Sequence, residues 1–109
     1  MVLGIVGLAS LSACTAFMKE VSEFQSGWRT AEVKSLGKAA ELAGSGLTDC
    51  RATASEMQLA SSRFALLSYR MAGGRPHSHI VIVNDSAVVA VGDTVYTNVM
   101  RCDAVLAVR

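Results

Sequence analysis

The chain has one proline, no Cys-x-x-Cys pair and no positive charge before Lys19. Each absence excludes something. Without closely spaced cysteines there is no sequence basis for dithiol redox chemistry or a sulfur-ligated zinc. Lys and Arg are scattered and never gather on one expected face with aromatics, which argues against a nucleic-acid surface. There is no Gly-x-Ser-x-Gly elbow. Gly73-Gly74 lacks the following helix and lysine of a phosphate loop and reads as a hairpin turn. Asp49 and Glu56 stand too isolated to form an acid/base pair. No internal repeat or low-complexity run is present. With 51% hydrophobic residues and a net charge of +1, the composition is too apolar for extended disorder. These absences point away from an enzyme, a cofactor and a nucleic-acid partner.

What the chain does have begins at its first residues. Residues 2–13 are uncharged and mostly Val, Leu, Ile, Gly and Ala. As a helix they would reach roughly 18 Å at ~1.5 Å per residue. A bilayer core needs about 20 apolar residues, so the stretch is too short to span. It has the length and the small-residue ending of a signal-peptide core. Its end, Leu11-Ser12-Ala13-Cys14, resembles the lipobox of bacterial lipoproteins.

That resemblance implies cleavage before Cys14, a diacylglycerol on its thiol and an acyl chain such as palmitate on its freed amine. Thr15 in place of the Asp that retains lipoproteins at the inner membrane implies an outer-membrane address, facing the periplasm. The expected partners are membrane lipid, through Cys14, and another envelope protein. The basic residues that normally precede such a segment are missing, and a start upstream of Met1 would supply them. Two rival readings are cleavage after Cys14-Thr15-Ala16 and a buried segment of a cytosolic protein.

With Cys14 taken by lipid, Cys50 and Cys102 remain, an even number in an oxidising compartment. A disulfide between them would close a long loop and contribute roughly 4 kcal/mol by loop entropy. Two free thiols or a redox pair are the alternatives.

The organisation expected is a signal peptide over 1–13, a lipidated tether or helix over 14–29, and a small α+β domain over 30–109. Phe17, Val21, Phe24 and Trp28 recur on one helical face. That stripe either packs on the domain or lies at the membrane interface. Ser26-Gly27 reads as its stop. Residues 30–43 favour helix, with a strand over Ala31 to Leu36 as the competing reading. Gly44-Ser45-Gly46 is a break. Residues 52–62 read as a second helix or a loop, with Thr53 and Glu56 resembling a capping box.

From Arg63 onward β-branched and aromatic residues dominate. Strands are expected over Phe64 to Tyr69, Ser78 to Val83, Val88 to Val91, Thr94 to Val99 and Asp103 to Val108, with short turns between them. Short links mean antiparallel neighbours. The fold class expected is α+β, with short N-terminal helices packed on a small antiparallel β-meander or barrel of about four or five strands.

His77-Ser78-His79 places two imidazoles on one face of a strand. With Asp85 at the next turn they form a candidate metal set, although zinc or copper usually takes three or four ligands. The spacing resembles the first motif of cupins, which implies imidazole-bound metal. Asp stands here in place of Glu, one position late, and no downstream His follows. Val91-Gly92-Asp93-Thr94-Val95 resembles a turn of small β-barrels.

The function expected is a membrane-anchored, non-enzymatic envelope lipoprotein that binds or scaffolds another envelope component through its β-rich C-terminal half. Strand addition at a sheet edge is one mode open to it. The alternatives are a periplasmic metal-binding protein using His77 and His79, and a lipid-tethered phage or conjugation component.

Overall fold

The computed structural model describes residues 18–43, 48–71, 73–103 and 106–108. The signal segment, Cys14 and the Gly44-Ser45-Gly46 break lie outside the described residues. Residues 18–25 are helical (α1) and stop at a turn over Ser26 and Gly27, as the sequence predicts. Six strands follow: β1 Trp28–Gly37, β2 Thr48–Asp49, β3 Arg63–Arg70, β4 Pro76–Val83, β5 Thr94–Asn98 and β6 Ala107–Val108. A second helix, α2, covers Glu56–Ser61, and 3-10 turns cover Ala39–Glu41 and Cys50–Thr53. The result is a small mixed α+β domain on one six-stranded sheet.

Strands β3, β4 and β5 form where the runs over 64–69, 78–83 and 94–99 predict them, β5 ending one residue early at Asn98. Others do not. Residues 28–37 are a strand, the competing reading for Ala31 to Leu36, rather than a helix, so Trp28 leaves the helical stripe and, with Arg29, begins the sheet instead of ending the tether. Ala31 and Val33 alternate inward, and the register then slips between Val33 and Ser35. That bulge sends Leu36 back toward the core, three positions after Val33 instead of two. The uneven spacing imitates a helical period. Val88 to Val91 form no strand; Val89 enters the core while Val88 and Val91 are 90% and 62% exposed. Of the expected last strand, Ala107–Val108 form β6, and residues 104–105 lie outside the described residues. The capping box sits two residues later than expected: the Ser55 hydroxyl accepts from the Gln58 amide at 3.1 Å and the Gln58 side chain accepts from the Ser55 amide at 2.9 Å.

The strand order is β2-β4-β3-β1-β5-β6. All pairs are antiparallel except β2 with β4, which is parallel. Strands β2 and β5 are four positions apart, roughly 19 Å in a flat sheet at ~4.8 Å per strand. Yet the Thr48 hydroxyl donates to the Val99 carbonyl at 2.7 Å. Cys50 and Cys102 are disulfide-bonded with Cα atoms 5.5 Å apart. The sheet therefore curls until β2 meets the chain just beyond β5.

The concave face carries the larger core, including Val33, Leu67, Val81, Val95 and Leu106. On the convex face a second cluster, Phe64 and Ile80 with Ala39 and Leu42, is covered by α2 and the 3-10 turns through Leu59 and Ala54. Arg51 locks this cover in place. It binds Asp49 at 2.7 Å and donates to the Ala39 and Leu42 carbonyls at 2.9 and 3.1 Å.

The disulfide spans 52 residues of sequence. Replacing Cys50 and Cys102 together by Ala is expected to lower urea-measured stability by about 4 kcal/mol, with the m-value rising as the unfolded chain expands.

Candidate functional site

Curling leaves one end of the convex face open, and α1 arches over it. Thr30 on β1 stands opposite Tyr96 on β5, and Glu32 lies between Ser68 on β3 and Thr94 on β5. Trp28 and Tyr96 are diagonal neighbours and stack with ring centres 5.0 Å apart and planes 18° apart. Such diagonal pairs are within reach of aromatic side chains. Trp28, Thr30 and Tyr96 floor a cleft of about 380 Å³ walled by Glu20, Glu23 and Phe24 of α1 and by Arg29 and Arg70. A second cleft of about 360 Å³ shares Thr30 and Arg70 and runs on past Glu32, Ser68 and Lys34. Together they form an open, polar trough across β1, β3 and β5.

Several charged groups of the trough are held by the protein, and Lys34 pairs with Glu32 at 3.2 Å. The Tyr96 hydroxyl donates to Glu23. Arg29 donates to the carbonyl of Phe24 at 2.7 Å and of Trp28 at 2.8 Å. Its guanidinium carbon lies 3.6 Å from the Phe24 ring centre. A cation at this position adds a second hydrogen bond to the Phe24 carbonyl, which also accepts from the Gly27 amide at 3.1 Å, and stacks on an aromatic face. Arg70 donates to the Gly74 carbonyl in the β3–β4 hairpin.

The sequence-derived metal set does not assemble. His77 stacks on Tyr69 with ring centres 5.8 Å apart. His79 is fully buried, and its Nδ1 lies 2.9 Å from the Thr48 carbonyl. A carbonyl only accepts, so Nδ1 carries the proton and Nε2 presents a lone pair. Nε2 is buried without a hydrogen-bond partner. Asp85 is exposed in the turn beyond the far end of β4. It is six residues from His79, roughly 20 Å along an extended chain. Among the described residues no three His, Cys, Asp or Glu side chains gather in a way that could hold a metal ion. Cys14 lies outside the described residues.

Sequence reasoning missed the trough. The sequence places Trp28 on a helical face and Tyr96 on a strand of the meander, with nothing to join the two. Only the reading of β1 as a strand brings them together. No known protein family, curated protein or solved structure matches this chain.

Burial depresses the His79 pKa below its ordinary 6.5, partly offset by the Thr48 carbonyl and by Asp49. The unfolded chain therefore takes up a proton near pH 6.5 that the folded chain resists. Stability is full above that pH and falls as pH drops toward the folded pKa. Each pH unit within that window costs up to about 1.4 kcal/mol. Urea titrations at about pH 7.5 and about pH 5.5 are expected to show this loss, and H79L is expected to remove the slope while lowering stability at both.

Proposed function

We propose that the chain is a lipid-anchored, non-enzymatic envelope domain, facing the periplasm from the outer membrane. In this reading it holds another envelope component against the trough on its β-rich half. The observation that carries the reading is the pairing of Cys50 with Cys102. Disulfides belong to oxidising compartments. The pairing leaves Cys14, at the end of the lipobox-like segment, as the remaining thiol of three.

Among the described residues no helix is long and apolar enough to cross a membrane. Attachment in this reading comes from acyl chains on Cys14, at about 0.8 kcal/mol per buried methylene, with more than one chain needed for stable anchoring.

The trough suits an extended polar segment better than an enclosed small molecule. It is open, and it offers hydroxyls at Thr30, Ser68 and Thr94 beside the half-exposed Glu32–Lys34 ion pair and Arg70. Strand addition is the weaker mode, because the edge strands β2 and β6 have two residues each. Short edges are one way proteins avoid pairing with other chains.

Intact mass of the membrane-extracted protein tests the reading. The expected product starts at Cys14, carries diacylglycerol and an N-acyl chain, and lacks two hydrogens for the disulfide. An unmodified chain with three free thiols would overturn it. A photo-crosslinking residue at position 30 is expected to capture a discrete envelope component in intact cells, and the same residue at position 57 is not.

A further inference from the structure

Helix α1 is turned the wrong way round for a helix that packs on its own domain. Glu20 and Glu23 face the trough, Glu23 bonded to Tyr96. At about 100° per residue, Met18, Val21, Ser22 and Gln25 lie on the opposite side. Those four line the outward face. Met18 is 70% and Val21 39% exposed, and Phe24, on one flank, is 52% exposed with its ring over Arg29. Lys19, also exposed, stands on the other flank. Two exposed apolar side chains, Met18 and Val21, share this face with the uncharged Ser22 and Gln25, between a cation on one flank and an aromatic ring on the other, a layout that suits a helix lying in a membrane interface.

We propose that this outward face of α1 rests in the headgroup layer of the bilayer, so that the domain sits on the membrane in a fixed orientation with its trough on the side of α1 away from the lipid. This rests on the lipid-anchor reading of Cys14. Cys14 stands four residues before Met18. Four residues extend at most roughly 14 Å, so an acylated Cys14 keeps the start of α1 at the bilayer surface. A second copy of the chain is the poorer occupant. The described helix, residues 18–25, is roughly 12 Å long, and a stable dimer buries about 800 Å² on each partner, more than one short helix face offers.

The test places a reporter on the outward face. Val21→Trp is built with Trp28→Phe, which keeps an aromatic ring on Tyr96. The full chain, made with its leader, is extracted and reconstituted in phosphatidylethanolamine–phosphatidylglycerol vesicles with or without brominated acyl chains. The expected result is a blue-shifted emission that falls about twofold in brominated vesicles. Adding Met18→Asp is expected to reverse the quenching while intact mass still shows acylated Cys14.

Unquenched emission with an acylated Cys14 overturns the proposal and leaves the anchor standing. A blue shift without quenching, together with a doubled native mass, assigns the face to a second copy and also overturns it. Unmodified Cys14 overturns the anchor. Quenching on that protein would still support the face, and its absence would sink both.

Discussion

The bond between Cys50 and Cys102 is the constraint on which the rest of the structure depends. It joins the turn after β2 to the segment beyond β5, across the width occupied by three intervening strands. Strand β2 has only two residues and could not hold that position by its own ladder. It is fixed by the Thr48 hydroxyl on Val99, by His79 on the Thr48 carbonyl and by the disulfide. The same junction reaches the convex face through Arg51. Its hydrogen bonds hold the Asp49 carboxyl below the usual carboxylate range, and its other contacts fasten the 3-10 turn at Ala39. One covalent link thus shapes the sheet and positions part of its cover.

Curling makes the two faces unequal. The concave face is apolar along most of its length, whereas the convex face changes character along the strands. Its β3 positions read Phe64, Leu66, Ser68 and Arg70, and across the ladder they meet Ile82, Ile80, Ser78 and Pro76. Because the strands are antiparallel, the sequence gradients run in opposite directions and coincide in space. The apolar end is buried under α2 and the 3-10 turns. The polar end is what remains for the trough. The site and the second core are two ends of one surface, divided between Leu66 and Ser68.

Much of this was legible in the chain. Strands β3, β4 and β5 are dense in branched and aromatic residues and bounded by turn formers. The cysteine pairing followed from assigning Cys14. Strand β1 was legible only as the competing reading over Ala31 to Leu36, because the bulge at Lys34 breaks the two-residue period on which strand recognition rests. Val88 to Val91 misled in the opposite way. Composition favoured a strand, but the segment's neighbours bind it elsewhere: Gly92 donates to the Val33 carbonyl, and the Ala90 amide donates to Asp93. The trough was hidden because its residues come from three strands and a helix, and the order of those strands is set by register rather than by sequence proximity. The His77–His79 pair shows the converse. The motif was plain, and the fold spends one ring on Tyr69 and the other on a backbone carbonyl.

The orientation of α1 follows from a single glycine. Gly27 has φ of +100°, and a Cβ there would lie 2.6 Å from the Asn98 side-chain oxygen and 2.7 Å from Met100 Cγ. Glycine alone takes this backbone conformation without strain and admits such close contact. The turn it allows lets Asn98 donate to the Ser26 carbonyl at 3.0 Å and lets the Val99 amide donate to the Gly27 carbonyl at 2.9 Å. Those bonds, with Tyr96 on Glu23 and Arg29 over Phe24, dock the helix by polar contacts rather than by burial. Helices in globular proteins are usually held by an apolar stripe turned to the core. Here hydrogen bonds take that part, and Met18 and Val21 stay exposed on the far side of the helix.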